Sequence, residues 1–389
     1  MKELPEGWRW VKLIDVAEII MGQSPPGDTY NNISQGMPFL QGKAEFGPIS
    51  PKHIKFTTKP LKKASKGSIL ISVRAPVGDV NIADIDYCIG RGLASISLNK
   101  GENSYLFYFL RCIKNKLKEE GAGSTFKAIN KSILENLKIP IPFKNGKPDL
   151  EKQQKIVSIL EKAEQTKRLQ AEADELIDQF LKSTFFEMFG DPVKNPKGWE
   201  LVKLGELCRI KRGASPRPIK NYLGGKVPWI KIGDGTKGND LYIESTEEKI
   251  IEEGVSKSVL LKAGSLIFAN CGVSLGFARI LKIDGCIHDG WLSLEDIDQD
   301  LNKIFLLKLI NSISEYLRKM APEGTQPNLN TGIMKNFDIP LPPISLQNQF
   351  AQIVEKVEKM REYQNQSKEE IEGLFNALMQ KAFTGELLA

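Results

Sequence analysis

The stretch Pro5-Glu6-Gly7-Trp8-Arg9-Trp10-Val11-Lys12-Leu13 returns as Pro196-Lys197-Gly198-Trp199-Glu200-Leu201-Val202-Lys203-Leu204, displaced by 191 residues. Three more blocks repeat in the same order. Gly67-Ser68-Ile69-Leu70 returns as Gly264-Ser265-Leu266-Ile267. Thr125, Asn130, Ile133, Asn136 and Ile139-Pro140-Ile141-Pro142 return as Thr325, Asn330, Ile333, Asn336 and Ile339-Pro340-Leu341-Pro342. Gln153, Glu161-Lys162, Glu164 and Phe189 return as Gln347, Glu355-Lys356, Glu358 and Phe383. The displacement drifts only between 191 and 200, so the 389-residue chain is one unit of about 195 residues written twice.

Each copy has two parts. The first is rich in Gly, Pro and β-branched residues. Ser68–Val73 and Ser265–Ala269 read as strands between turn signals, and Tyr105–Glu119 and Lys303–Met320 as helices with apolar residues at three-to-four spacing. This predicts a mixed α+β globule that ends at Ile-Pro-[Ile/Leu]-Pro and leaves as an extended linker, because proline lacks an amide donor and disfavours helix before it. The second part, Leu150–Phe189 and Leu346–Phe383, contains no Pro and only one Gly, Gly373. Its apolar stripe marks a coiled-coil seam through Ile156, Leu160, Ala163, Gln170, Ile177 and Phe180, and through Phe350, Val357, Gln364, Ile371, Leu374 and Leu378. A helix of that length, roughly 50–55 Å, must bury its stripe, and the other copy is the simplest partner. The fold class expected is α+β: two tandem pseudo-symmetric α+β domains, each followed by a long helix, the two helices forming an antiparallel coiled coil. The linear boundaries are 1–148, 149–190, 191–343 and 344–389. Gln170 and Gln364 fall at equivalent mid-helix positions, where a hydrogen bond across the pseudo-twofold axis would fix register; the plainer alternative is two exposed helix glutamines.

Composition narrows the function. The chain carries 54 Lys+Arg, 48 Asp+Glu and two His, for a net charge of +6. By segment that is +9 for residues 1–148, −3 for 149–189, +2 for 190–343 and −2 for 344–389. Basic globules suit a polyanion and mildly acidic helices do not. The five cysteines are scattered without a C-x-x-C pair, which argues against a disulfide framework or zinc ribbon. No apolar run is long enough to span a bilayer, and MKELPEGWRW lacks the apolar core of a signal peptide, so a cytoplasmic protein is expected.

Motifs for chemistry fail one by one. Gly233-Asp234-Gly235-Thr236-Lys237-Gly238 fits a dinucleotide pattern after a strand read at Val227–Ile232, but Asn239–Ser245 reads as strand or turn where a helix is needed. There is no P-loop. Pro148-Asp149-Leu150-Glu151-Lys152 mimics a nuclease carboxylate set, yet acids at a helix start are explained by capping. His288-Asp289 has no nucleophile elbow with it. No catalytic, cofactor-binding or metal-binding residue is assigned.

Binding remains. Gly22–Pro26 pairs with Gly213–Pro216, Arg74–Gly78 with Asn270–Gly276, and Ile89–Leu93 with Ile287–Trp291. Glycine lets the backbone approach a ligand, and Arg, Asn, Gln and His read base edges. The DNA-binding candidates are therefore Gln23, Ser24, Lys43, Arg74 and Arg91 in the first copy. In the second they are Lys211, Arg212, Ser215, Arg217, Lys220, Lys231, Asn270, His288 and Trp291. Each loop taken singly also reads as an ordinary turn between strands. What favours recognition is that the polar residues differ between copies while the apolar framework repeats.

The duplicated Pro-x-Gly-Trp-x-x-Val-Lys-Leu, Gly-x-Ser-Pro at 22–25 and 213–216, the paired Asn130/Asn330 with Ile-Pro-[Ile/Leu]-Pro, the helix openings at Leu150–Gln153 and Leu346–Gln349, and Ala382-Phe383-Thr384-Gly385-Glu386-Leu387 resemble the specificity subunit of a Type I restriction–modification enzyme, nearly end to end. The resemblance implies a non-catalytic subunit with two target-recognition domains, each reading half of a split double-stranded DNA target. It implies that the helices space the domains and dock two methyltransferase subunits, with restriction/translocase subunits joining them. S-adenosylmethionine, Mg2+ and ATP would then belong to those partners. Lengthening the first helix by a turn within Ala171–Asp178 should change the gap but neither half-site. The alternatives are a duplicated DNA- or RNA-binding adaptor without a methyltransferase, and a protein–protein scaffold using the rod alone.

Overall fold

The computed structural model describes residues 3–120, 128–238, 241–272, 274–321 and 328–388. Thr125, Thr325, Asn239 and Val273, used in the sequence comparison, lie outside them. The chain forms two compact units that cut across its linear order. One is Met1–Ala171 with Asn365–Ala389, and the other is Glu172–Gln364. Each long helix, Leu150–Phe189 and Ile344–Thr384, therefore starts in one unit and ends in the other.

In the first unit an antiparallel sheet orders Ala17–Met21, Leu93–Leu98, Ile69–Ser72 and Val80–Ile82. A second sheet orders Tyr30–Asn31, Phe56–Thr57, Met37–Leu40, Tyr87–Ile89 and Lys63–Ala64, with Met37–Leu40 parallel to Tyr87–Ile89. The second unit repeats the plan. Arg209–Arg212, Trp291–Glu295, Leu266–Ala269, Ala278–Leu281 and Tyr242–Ile243 form one sheet; Glu248–Ile250, Leu223–Ile230, Gly285–Ile287 and Val259–Leu261 form the other. The helices read as single runs each break into two, at Ile113 and at Ile313, where the residue leaves helical geometry.

The Ile-Pro-[Ile/Leu]-Pro segments are not linkers. Lys138–Lys144 pairs antiparallel with Trp8–Lys12, and Asp338–Leu341 with Glu200–Lys203. Prolines two apart lose amides on the same side of a strand, so such a strand can still pair along its other edge. The two most repeated motifs are thus partners that close each globule on itself. The junctions match as well. Gly190 has φ +78°, and a Cβ there would meet Pro196 Cγ at 2.8 Å; Gly385 has φ +81°, and a Cβ there would meet Pro5 Cγ at 2.6 Å. One junction is covalent and the other joins the two ends of the chain.

The helices run antiparallel within each unit. In the first, Ile156, Val157 and Leu160 share a core with Phe375, Met379, Ala382 and Phe383, and Lys167 pairs with Glu372. In the second, Leu181, Phe185 and Phe189 share a core with Phe350, Val354 and Val357, and Arg361 pairs with Asp178. Two seam assignments are corrected. Phe180 is 52% exposed and Leu374 is 59% exposed, while their neighbours Leu181 and Phe375 are buried. The seam steps four residues, not three, after Ile177 and after Ile371, identically in both copies. Ile156, Leu160, Phe350 and Val357 are buried, and Ala163, Gln170, Ile177, Gln364, Ile371 and Leu378 are half-buried. Gln170 Nε2 and Gln364 Oε1 are buried and have no hydrogen-bond partner among the described residues.

Asp149 caps the first long helix, accepting from the Lys152 amide at 3.0 Å. Near the starts of the long helices, Gln153 and Gln347 are fully buried. Gln347 Oε1 accepts from the Asn302 amide at 2.8 Å, and its Nε2 donates to the Asp300 and Pro342 carbonyls at 2.9 and 2.7 Å. Gln153 Oε1 accepts only from the Glu102 amide, at 3.0 Å, and its Nε2 is unpartnered. Stranding a buried polar group costs about 1–3 kcal/mol. Gln347→Ala should therefore lower stability by roughly 3 kcal/mol and by more than Gln153→Ala, measured by urea unfolding; equal losses would contradict this bonding.

Candidate nucleic-acid interface

The same loop cluster is built twice on the same backbone hydrogen bonds. In the first unit the Gly22 amide donates to Leu93 O, Gln23 to Ile89 O, Gly90 to Leu40 O and Val73 to Gly92 O. In the second, Gly213 donates to Trp291 O, Ala214 to Ile287 O, His288 to Ile230 O and Asn270 to Gly290 O. A Cβ on Gly22 would lie 2.1 Å from Gly90 O, and one on Gly213 would lie 2.3 Å from His288 O. Only glycine allows the loops to approach this closely.

These bonds set the correspondence between copies: Arg91 stands where Asp289 stands, Gln41 where Lys231 stands, and Leu93 where Trp291 stands. They also correct the alignment of one loop. Asn270 matches Val73 rather than Arg74, and Arg74 matches Cys271, each in a bridge, to Ala128 and to Asn328. Asn270 is fully buried and donates to Asn328 Oδ1 at 3.0 Å, so its side chain is not presented to solvent. Trp291 is likewise 0% exposed, packed edge-on against Phe277. Both are core residues whose position in a glycine-flanked loop made them look like readers.

The remaining candidates lie at the surface. In the first unit Gln23, Arg74 and Arg91 are exposed, and neither arginine has a carboxylate partner among the described residues. Ser24 Oγ accepts from the Arg91 amide at 3.2 Å, which fixes the turn while leaving the guanidinium outside. Lys43 is exposed but held by Asp79 Oδ2 at 2.8 Å, with Lys114 on the same carboxylate. Burial raises the Asp79 pKa, but the two lysines outweigh it and hold the carboxyl below its ordinary range.

In the second unit Asp289 organises the loops. Its Oδ1 accepts from Ser215 Oγ at 2.7 Å and lies 2.9 Å from His288 Nε2, and Arg217 reaches its Oδ2 at 3.2 Å. Arg212 Nε donates to its carbonyl at 2.9 Å. The Gly290 amide donates to His288 Nδ1 at 2.9 Å, so the ring proton sits on Nε2 and points at Asp289. Burial lowers the His288 pKa, and Asp289 offsets this only in part, so the ring is neutral at pH 7. Burial raises the Asp289 pKa, yet Ser215, His288 and Arg217 hold the carboxyl below its usual range. Serine and histidine here share one carboxylate instead of facing each other, so the group clamps a loop and does not activate a nucleophile. Lys231 is paired with Glu248 at 2.6 Å and Lys211 with Glu295 at 3.3 Å; Lys220 is exposed. Over the glycine-rich stretch the strand ends at Ile230 and Ile232–Gly235 form one helical turn, inside which Asp234 accepts from the Lys231 and Glu247 amides.

One set of surface cations was missed. Residues 46–78 contain Lys52, Lys55, Lys59, Lys62, Lys63 and Lys66, beside the candidate Arg74, and no acidic residue. They thread the second sheet of the first unit, where Lys63 pairs with Cys88 beside the Arg91 turn. The signal was the length of the acid-free run, which a count over the whole globule hides.

Two copies of a sheet-borne loop cluster, each with its own polar tips, define a duplicated specificity module. The family model described as the Type I restriction modification DNA specificity domain matches residues 5–179 and 196–373, and the chain belongs to that family. It is 55% identical over 144 residues to a putative Type I restriction enzyme MjaX specificity subunit of Methanocaldococcus jannaschii, a match spanning 36% of this chain and 34% of that one. It is 26% identical to the MjaIX specificity subunit of the same organism over 99% of this chain and 94% of the other. A solved structure from work on assembly and conformational transition of a Type I restriction–modification system superposes with a TM-score of 0.68, 24% identity and full coverage of both chains. That likeness is one of fold.

Proposed function

We propose that this chain is the DNA-reading subunit of a Type I restriction–modification assembly. Each globule reads one half of a split duplex target. The paired helices set the unread gap and carry the methyltransferase subunits, and restriction subunits join that complex. Methyl transfer, ATP use and cleavage, with their S-adenosylmethionine and Mg2+, belong to the partners. The observation that carries this reading is one backbone scaffold presenting different polar residues in each copy: Gln23, Ser24 and Arg91 in one, and Ser215, Arg217 and Asp289 in the other. Framework bonds that repeat and tips that differ are what two readers of different sequences require.

The helices offer a surface for partners. In the second unit Leu176, Phe180, Met360 and Tyr363 are exposed, and in the first unit Leu169 and Leu374 are. Large apolar side chains spaced along helices and left in water mark a protein–protein contact.

The test is to co-express the chain with its methyltransferase and sequence the methylated genome. A bipartite methylated motif supports the reading; methylation without one, or a chain that does not co-purify with a methyltransferase, refutes it. Arg91→Ala should change the accepted bases in one half-site and leave the other intact, since Arg91 sits in one cluster only. Changes in both halves would show that Arg91 acts through phosphate contacts or folding.

A further inference from the structure

The two clusters are built alike but charged unlike at matching positions. Sheet register makes the comparison residue by residue. Phe39 and Trp229 stand beside Cys88 and Cys286 in the parallel pairs. Pro38 faces Phe56, and Pro228 faces Lys249. Lys55 therefore occupies the position of Glu248, and Gln41 that of Lys231. By the loop correspondence, Arg91 occupies the position of Asp289 and Pro26 that of Arg217. In the second unit both position pairs are closed ion pairs, Lys231–Glu248 at 2.6 Å and Arg217–Asp289 at 3.2 Å. In the first unit the same positions hold a neutral residue and a cation that has no carboxylate partner among the described residues, namely Gln41 with Lys55 and Pro26 with Arg91.

The surroundings follow the same rule. Around the first cluster lies the acid-free segment 46–78 with its six lysines. The matching segment of the second unit carries Glu244, Glu247 and Glu248, which pair with Lys282, Lys237 and Lys231. A carboxylate on a cation occupies the place a phosphate oxygen would take and must be displaced before that cation releases counterions on binding DNA.

The geometry points to a division of labour: the first globule is the phosphate-gripping anchor, and the second is a self-gated reader in which Glu248 and Asp289 hold Lys231 and Arg217 away from the DNA backbone. Non-specific grip then comes from one end, and the second half-site is engaged only where base contacts repay opening two ion pairs. This inference rests on reading both globules as duplex binders.

The test uses the full chain in complex with its methyltransferase and two duplexes of equal length, one with the complex's own methylation motif and one without. Dissociation constants are measured from 50 to 200 mM KCl. Lys55→Gln with Lys63→Gln should flatten the log–log salt slope by about 2, at roughly 0.9 per lost phosphate contact. On the motif-free duplex, Lys231→Gln with Arg217→Gln should change it by less than about 0.5 on the same scale. Glu248→Gln with Asp289→Asn should steepen it by about 2 and tighten binding to the motif-free duplex about tenfold, because two cations are released. Melting temperatures confirm that all three variants are folded. Equal slope losses in the first two variants, or no gain of motif-free binding in the third, overturn the asymmetry. Absence of salt-dependent binding by the unaltered complex to either duplex overturns the DNA-reading assignment itself, and is distinguishable because it appears before any substitution.

Discussion

Adding seven residues to both long helices, after Gln170 and after Gln364, should widen the unread gap by about 3 base pairs while each half-site keeps its sequence. Seven residues of helix add about 10.5 Å, and a duplex turn of ~34 Å holds about ten base pairs. The length matters as well as the place. A heptad returns the seam to the same face, so Ile177 and Leu181 meet Val357 and Phe350 as before. Both helices must lengthen together, because each passes from one compact unit to the other at the matching place in its sequence, after Ala171 in one and after Gln364 in the other. A turn added to Ala171–Asp178 alone would rotate one stripe off its partner. Methylome sequencing reads the result, and an unchanged gap with both half-sites intact would mean that the helices are not the ruler.

Phe180→Glu combined with Leu374→Glu should leave the subunit folded and strip it of methyltransferase. Both side chains stand in water, so their loss should move stability by about 0.5 kcal/mol or less each. A docking contact that loses one large apolar anchor loses about 2 kcal/mol, roughly thirtyfold in affinity, at each of these two matching positions. Co-purification and circular dichroism separate the two effects. Leu181→Ala is the contrast: buried in the core beside Phe185, it should lower stability by about 2–4 kcal/mol. Retention of the methyltransferase by the double variant would place docking elsewhere.

The pair Phe180 and Leu181 shows where sequence reading stops. Periodicity located the stripe and its partner helix, because a 3-4 repeat over 40 residues has no other burial. It could not say which of two adjacent apolar residues faces inward, since a step of three and a step of four are both helical. Asn270 and Trp291 teach the same about loops. Their glycine neighbours marked a close backbone approach, which is present at Gly213, but which side chains point out depends on strand register. The register puts Trp291 opposite Ala269 in the sheet and so inside. Lys231, Arg217 and Lys43 were legible as surface cations, while Glu248, Asp289 and Asp79, which hold them, lie 17, 72 and 36 positions away.

The sequence by itself determined the duplication, the two α+β globules, the two long helices and the family, because all of these are written in order and spacing along the chain. The tertiary structure alone decided that the first and last motifs of each globule pair as strands. It decided that the end of each long helix meets the start of a globule in the same way, Gly385 against Pro5 as Gly190 against Pro196. It also decided that Lys231 and Arg217 meet Glu248 and Asp289, while Lys55 and Arg91 in the first copy meet no carboxylate among the described residues. Those facts depend on which residues meet across long separations, and a local pattern carries no information about a partner that only folding brings near.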